Sequence, residues 1–193
     1  MAKPTHRDKL LTEGLKVVHE RGFAGASVRD IVQAAGVPQG SFTNHFISKE
    51  LFGLEILDLY AVNTHVVLDR TLRNASLLPL ARLRSFFDFH QQTLENGCLK
   101  MGCLYGNLAA ETSEHSDIIR NRLVEIFASL QDNIADCLKQ AVAAGELHDG
   151  FECEHTALFI VSSLQGAVLI GKAQRSTEPL KSLIDILFNN LLH

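Results

Sequence analysis

Four polar side chains in the middle of the segment Ser27–Glu50 have the chemistry needed to read DNA. They are an amide, a hydroxyl, a second amide and an imidazole, all of which form hydrogen bonds with the base edges of a major groove. Two phenylalanines four residues apart, Phe42 and Phe46, lie among them, so a helix here would turn its rings inward and its polar groups outward. The predicted base-reading residues are Gln39, Thr43, Asn44 and His45.

Two short helices and a tight turn are predicted to hold these side chains. Val28–Ala35 has apolar residues at helical spacing, with Ser27 before it as a natural N-cap. Gly36 tolerates the positive φ at which that helix must end, and Pro38 presets the backbone for a second helix, Gln39–His45. This arrangement is a helix-turn-helix, whose second helix enters the major groove.

Other polar residues of the same segment are expected to hold phosphates. Lys49 follows Ser48 at the start of a long helix, where free amides and a cation together favour a phosphate. The complete set predicted to contact DNA is Ser27, Arg29, Gln39, Ser41, Thr43, Asn44, His45 and Lys49.

About fifty residues around this segment resemble the N-terminal domain of the TetR family of transcriptional regulators. The resemblance lies in Gly22-Phe23, Ala35-Gly36-Val37, Gly40-Ser41-Phe42 and the F-x-S-K-E sequence at 46–50. One departure is Thr43, where the family usually has an aromatic residue, mostly Tyr, and often a second aromatic at the position of His45. A threonine can contact phosphate, but it lacks the packing and reach of a ring.

The resemblance implies the architecture and the activity. We expect an all-α fold of about nine helices, with a three-helix DNA-binding domain over 1–48 joined to a ligand-binding and dimerisation domain over 49–193. It implies a homodimer on double-stranded, palindromic operator DNA, acting as a repressor that a small-molecule or electrophile effector releases. A two-fold dimer also doubles the contacts of a single helix-turn-helix.

Composition and charge agree with a helical, DNA-binding protein. In 193 residues the chain has 46% hydrophobic residues, no Trp and four Pro, which favours helices. The net charge of −4 is divided unevenly: residues 1–50 hold seven Lys and Arg against five Asp and Glu, and the acidic excess lies in the remainder. This asymmetry would orient the N-terminal end towards DNA.

The chain also lacks the usual signs of export or membrane insertion. No apolar run approaches the ~18 residues of a membrane span, and the N-terminus has no apolar signal core. Four cysteines do not make a disulfide framework in a chain of this size. We therefore expect a cytoplasmic protein with no membrane partner.

The last two predicted helices combine small residues with large aliphatic ones, and their apolar surface exceeds what one core face needs. In the family, these helices from both subunits form a four-helix dimer interface; the alternative is a buried hairpin within one chain. The predicted interface residues are Val161, Leu164, Val168, Leu183, Ile186 and Leu187.

The stretch Gly97–Glu111 resembles a G-C-L…N-L-A-x-E sequence found in a subset of the family. In some members a cysteine here responds to electrophiles or oxidants, and others bind small organic acids. Cys103 lies at a predicted helix N-terminus, which lowers a thiol pKa and favours reactivity. The alternative is a small buried core residue.

A ligand-sensing protein of this kind needs a cavity among helices 4 to 8. We expect its lining to combine apolar walls with a few polar ends, and the alternative for each residue is ordinary core packing. The predicted effector-binding residues are Tyr60, Phe86, Phe89, His90, Cys103, Tyr105, Phe127 and Gln165.

Catalysis and metal binding find little support in the sequence. It has no Gly-rich phosphate loop, nucleophile elbow or metalloprotease helix, and no His pair has the i, i+4 spacing of a chelating site. We expect no enzyme activity, no cofactor and no metal. Two other functions remain as alternatives: a helical effector-binding or interaction module that has lost DNA reading, and a Cys-dependent enzyme built around Cys103.

Overall fold

The computed structural model describes residues 4–192, and within that range it contains nine α-helices and no β-strand. A 3₁₀ turn at Cys98–Lys100 precedes α6, and a π-helical turn at Leu187–Leu191 follows α9. The predicted all-α fold is confirmed. The helices are α1 His6–Arg21, α2 Val28–Ala35, α3 Ser41–His45, α4 Lys49–Arg70, α5 Pro79–Glu95, α6 Leu104–Thr112, α7 Asp117–Ala143, α8 Cys153–Gln174 and α9 Glu178–Ile186.

Side-chain caps fix where the N-terminal helices begin and end. Thr5 starts α1 and Ser27 starts α2, each through a capping box in which the hydroxyl and the acid three residues later exchange hydrogen bonds. Gly36 ends α2 in the left-handed conformation, at φ 60° and ψ 40°. The hydroxyl of Ser48 accepts a hydrogen bond from the Leu51 amide at 3.1 Å, which caps α4. The turn between α2 and α3 therefore forms as the sequence predicts.

By its contacts the chain divides into two compact units. The first contains the residues up to Asn63 together with Leu104–Val124, and the second contains Thr64–Cys103 and the residues from Glu125 onward. Helices α4 and α7 each run from one unit into the other. The division differs from the predicted boundary at residue 48, because α6 and the first turns of α7 make their contacts with the helix-turn-helix part of the chain.

Aromatic rings form the core under α3. The ring centroids of Phe42, Phe46 and Phe52 lie 5.0 to 5.2 Å from one another in tilted and edge-on arrangements. All three are buried, with Phe52 fully so. Such ring pairs add to the stability gained from burying their area. Because Phe42 and Phe46 are fixed in this cluster, the rotation of α3 about its axis is fixed as well.

The second unit has its own core, which α5, α7, α8 and α9 enclose. Phe86 and Phe87 of α5 are buried, as are Leu138 of α7 and Ile160 of α8. Unlike most surface helices, α8 is apolar on its exposed side too, where Leu158, Phe159, Leu169 and Ile170 are 49 to 66% exposed.

Two helices, α4 and α8, are each 22 residues long and apolar enough by composition to cross a membrane. Neither helix is an uninterrupted apolar run, since Asp58 lies within α4 and Gln165 lies within α8. The core helix of a soluble protein meets the same criterion. This finding is therefore weak evidence for a membrane span.

Candidate nucleic-acid interface

Helix α3 is the second helix of the helix-turn-helix and is here called the reading helix. It forms as predicted but is shorter than expected. It runs over five residues, Ser41–His45, and Gln39 lies in the turn before it. Thr43, Asn44, His45 and Gln39 are all exposed, while Phe42 is only 3% exposed. The hydroxyl of Thr43 donates a hydrogen bond to the Gly40 carbonyl at 3.1 Å and still has lone pairs to offer. The four predicted base-reading side chains are thus available at the surface.

The residues predicted to hold phosphates divide into two kinds. The hydroxyl of Ser27 is used within the fold, because it accepts a hydrogen bond from the Asp30 amide at 3.1 Å and donates one to the Asp30 carboxylate. Arg29 is exposed, and within residues 4–192 its side chain forms no ion pair or hydrogen bond. By contrast, Arg21 pairs with Asp30 at 2.8 Å. Arg29 is therefore the cation of α2 that is free to bind a phosphate.

Two members of the predicted DNA-contacting set, Ser41 and Lys49, have partners within the protein. Ser41 is 6% exposed, and its hydroxyl lies 3.4 Å from the His6 ring, so it faces the protein. Lys49 is half-buried: its ammonium donates a hydrogen bond to the Phe23 carbonyl at 2.5 Å and lies 4.7 Å from the centre of the Phe23 ring. Burial lowers the pKa of Lys49, although the carboxylate of Glu111 acts in the opposite direction. Both side chains have partners within the protein, which argues against a role at a phosphate.

The predicted effector-binding residues are distributed over both units. In the first unit, Tyr60 packs edge-on against Tyr105, with centroids 4.9 Å apart. In the second unit, Phe86 is 1% exposed and belongs to the buried core. Phe89 is 40% exposed and lies outside that buried core, so its prediction as a cavity residue has no support. Cys103, Phe127 and Gln165 are partly buried.

Among the predicted effector residues, His90 has a shifted pKa. Its ring packs edge-on against Phe86, with centroids 4.5 Å apart, and lies near Phe89 at 5.9 Å. Burial among these rings lowers the pKa of His90 to about 4. The imidazole is therefore neutral at neutral pH, where it offers one hydrogen-bond donor and one acceptor rather than a positive charge.

The four cysteines fall into two classes of exposure. Cys137 and Cys153 are buried, and Cys98 and Cys103 are partly exposed. Burial raises the pKa of Cys137 to about 11 and also raises the pKa of Cys153. Because the thiolate is the reactive form, raised pKa values make both buried thiols slow nucleophiles at neutral pH.

We therefore expect a maleimide at neutral pH to label Cys98 and Cys103 only. Mass spectrometry of the native protein should find at most two adducts, whereas protein unfolded in urea should carry four. Cys103→Ser should lose one native adduct. Rapid native labelling of Cys137 would contradict the burial argument.

Four of the six predicted dimer residues belong to the core of a single chain. Val161, Leu164, Val168 and Leu187 are between 0 and 6% exposed and pack in the buried cluster of the second unit. Burial within one chain leaves little of these side chains for a partner subunit: Val161, Leu164 and Val168 face the core from α8, and Leu187 faces it from the turn after α9. Leu183 is partly buried against the same cluster, and Ile186 is 52% exposed. Of the six, Ile186 is the one that faces solvent.

A second apolar surface, here called the outer face of α8, lies on the exposed side of that helix. It consists of Leu158, Phe159, Ser162, Gly166, Leu169 and Ile170. The four large side chains repeat at the helical spacing i, i+1, i+11, i+12, and the small residues Ser162 and Gly166 lie between them. A Cβ atom added to Gly166 would meet nothing within 4 Å. An exposed apolar surface of this kind is a candidate interaction site.

Metal binding has no further support in the structure. Among residues 4–192, no group of three or more His, Cys, Asp or Glu side chains is placed to hold an ion.

Two models of known protein families match the chain. Residues 10–54 match "Bacterial regulatory proteins, tetR family", and residues 79–187 match "Tetracyclin repressor-like, C-terminal domain". The first match includes the whole helix-turn-helix, and the second includes α5 to α9.

Three relatives align in sequence with nearly the whole chain. The HTH-type transcriptional repressor DhaR of Mycobacterium sp. strain GP1 is 36% identical over 192 residues, which is 100% of this chain and 95% of DhaR. The transcriptional regulator AcuR of Cereibacter sphaeroides is 32% identical over 173 residues, which is 90% of this chain and 79% of AcuR. The HTH-type transcriptional repressor NemR of Escherichia coli K12 is 28% identical over 181 residues, 92% of this chain and 89% of NemR.

Solved structures have the same fold. The crystal structure of the regulatory protein TetR from Rhodobacter sphaeroides superposes with a TM-score of 0.88 at 31% identity, covering 95% of this chain and 96% of that one. The reduced form of E. coli NemR superposes with a TM-score of 0.83 at 27% identity, covering 95% of both chains. Since the two family models match residues 10–54 and 79–187 and DhaR is 36% identical over 192 residues, the chain belongs to the TetR family and is a DNA-binding transcriptional regulator.

Proposed function

We propose that the protein is a repressor that binds a palindromic operator as a homodimer and releases it when a small molecule binds the helical core. The main support for this proposal is that the polar side chains of α3 and of the turn before it are exposed. The cluster of Phe42, Phe46 and Phe52 holds α3 in one orientation. The relatives DhaR and NemR are both named as repressors.

In the proposed complex Gln39, Asn44 and His45 read base edges. Asparagine and glutamine suit adenine, to which they bind in a bidentate manner, and each such pair discriminates by about 1–3 kcal/mol. Thr43 supplies a hydroxyl where a larger aromatic ring would reach further. Ser27 and the start of α2 approach the phosphate backbone, and Arg29 supplies the charge. Ser41 and Lys49 have no part in the contact.

Arg29→Ala should weaken binding to every DNA sequence by a similar factor and flatten its salt dependence. A homodimer presents two copies of Arg29, so the slope of log K against log salt should fall in magnitude by about 1.8. Fluorescence anisotropy with labelled DNA from 50 to 300 mM salt measures this slope. The matched control is Arg84→Ala, which removes the same charge from an exposed pair with Asp88 on α5. Equal slopes for both variants would argue against a phosphate contact by Arg29.

Dimerisation is proposed to use the outer face of α8 together with Ile186 of α9. Four large apolar side chains on this face are about half exposed or more in the single chain, and Gly166 leaves room for a partner helix to approach closely. A two-fold pairing of this surface brings two reading helices to one palindrome.

The effector is proposed to be a small molecule that is held by apolar contact and by neutral hydrogen bonds. Phe86 and Phe127 of the second unit supply rings, and His90 is a neutral imidazole at neutral pH. An electrophile that modifies Cys103 is the second candidate, since Cys103 is one of two partly exposed thiols. A thermal-shift screen of small molecules, followed by the same screen on Cys103→Ser, distinguishes the two.

Selection of DNA from a random library tests the whole proposal. The wild-type protein should enrich a palindrome whose half-sites are related by the two-fold axis of the dimer. Failure to enrich any sequence, with a folded dimer in solution, would favour the alternative of a helical effector-binding module without DNA reading. The relatives are named as transcriptional regulators, and the Cys-dependent enzyme has no support among them.

A further inference from the structure

Glu111 of α6 binds the turn that joins the first two helices of the DNA-binding part. Its carboxylate accepts a hydrogen bond from the backbone amide of Ala24 at 2.9 Å. Gly22, at φ 78°, lies so close that a Cβ atom there would be 2.6 Å from the nearer carboxylate oxygen. Any larger residue at 22 would displace the carboxylate. Glu111 and its whole helix belong to the same compact unit as this turn.

The opposite side of the same turn is bound by the start of α4. Lys49 donates its hydrogen bond to the carbonyl of Phe23 and covers the Phe23 ring. That ring in turn packs on Gly53, where a Cβ atom would lie 2.6 Å from it. The backbone of residues 22–24 is therefore held through its carbonyl by α4 and through its amide by α6.

A further hydrogen bond joins the start of α7 to the start of α4. The hydroxyl of Ser116 donates to the carboxylate of Glu50 and accepts from the Ile119 amide at 3.3 Å. Three separate sequence features thus meet in one place: the Gly22-Phe23 pair, the Lys49-Glu50 pair and the acid that ends the Gly97–Glu111 stretch.

We propose that Glu111 is a positioning residue for DNA binding, which fixes the α1–α2 turn and so the orientation of the reading helix. The inference rests on the proposed repressor function. The side-chain oxygen of Glu111 holds the turn in place, and because its hydrogen bond with the Ala24 amide is exposed, water can replace it without unfolding the chain. Loss of Glu111 should therefore loosen the orientation of the reading helix rather than destroy the fold.

The test uses the palindrome that wild-type protein selects, and versions of it with one base pair added or removed at the centre. Each change moves the half-sites by about 3.4 Å and turns them by roughly 35°, a displacement that a rigid pair of reading helices does not tolerate. Glu111→Ala should bind the selected site about tenfold more weakly, because only a fraction of the molecules has the competent orientation. It should also lose much less affinity than wild type when the spacing changes.

Two matched variants separate positioning from folding. Glu111→Gln keeps an oxygen acceptor for the Ala24 amide. Its affinity should therefore depend on the half-site spacing as wild-type affinity does, a dependence here called the spacing profile. Glu114→Ala removes the same charge from an exposed position three residues later and should behave as wild type. Hydrogen exchange at the Ala24 amide should be fast in Glu111→Ala and slow in Glu111→Gln.

Each result supports or overturns the proposal. A Glu111→Ala protein with a lower unfolding temperature but the wild-type spacing profile would give Glu111 a structural role only and overturn the inference. A wild-type protein that selects no DNA would overturn the proposed function and the inference with it. Wild-type binding together with an unchanged spacing profile in Glu111→Ala would overturn the inference alone.

Discussion

Leu169→Glu is expected to yield a folded monomer that no longer binds a palindromic operator at nanomolar concentration. Leu169 is 66% exposed in the single chain, so the substitution leaves the core of the chain unchanged. In the proposed dimer the carboxylate would be buried against the partner, and the two-fold axis doubles the effect. An unpaired buried charge costs several kcal/mol, so the dimer dissociation constant should rise by at least about 10³-fold.

Sedimentation velocity at micromolar concentration measures the change of mass, and circular dichroism checks that the helices remain. Leu78→Glu is the matched control, because Leu78 is also 66% exposed but lies just before α5. The control should remain dimeric and bind DNA. A Leu169→Glu protein that sediments with the mass of a dimer would show that the outer face of α8 is not the interface.

The sequence predicts the helices well but does not predict which side of α8 faces the core. In most helices a polar side marks the solvent, and here the periodicity fails because both sides of α8 are apolar. Small residues do not mark the solvent side either, because Ser162 is exposed whereas Ala167 and Gly171 are buried. The tertiary contacts of α5, α7 and α9 decide the matter, and these contacts are not local in sequence.

The reading helix was predictable because its signals are local. Ser27, Gly36 and Phe42 specify a cap, a helix end and an inward ring, each from the residue type and its immediate neighbours. Lys49 shows the limit of local patterns, because a lysine at a helix start has the same pattern whether it binds phosphate or a carbonyl. Its partner Phe23 is 26 residues away in the chain. Glu111 ends a recognisable sequence motif, but its contact with Ala24 spans 87 residues and leaves no local signal.

Leu164→Asp should unfold the chain instead of splitting a dimer. Leu164 is 2% exposed and packs in the buried cluster of the second unit, on the side of α8 opposite to Leu169 and Ile170. Burying an unpaired carboxylate there, with the loss of a leucine side chain, should lower the free energy of unfolding by about 4 kcal/mol or more. This is a large part of the roughly 5–15 kcal/mol that holds a domain folded.

Urea unfolding followed by circular dichroism measures this loss, and Leu164→Met is the control, since swaps of similar volume cost less than about 1.5 kcal/mol. The comparison with Leu169→Glu is informative because the two residues lie five positions apart on one helix. A charge at 169 should change the mass and spare the fold, whereas a charge at 164 should remove the fold at any protein concentration. A Leu164→Asp chain that stays helical as a monomer would instead return Leu164 to the interface, because a residue of the buried core cannot take an unpaired charge without a large loss of stability.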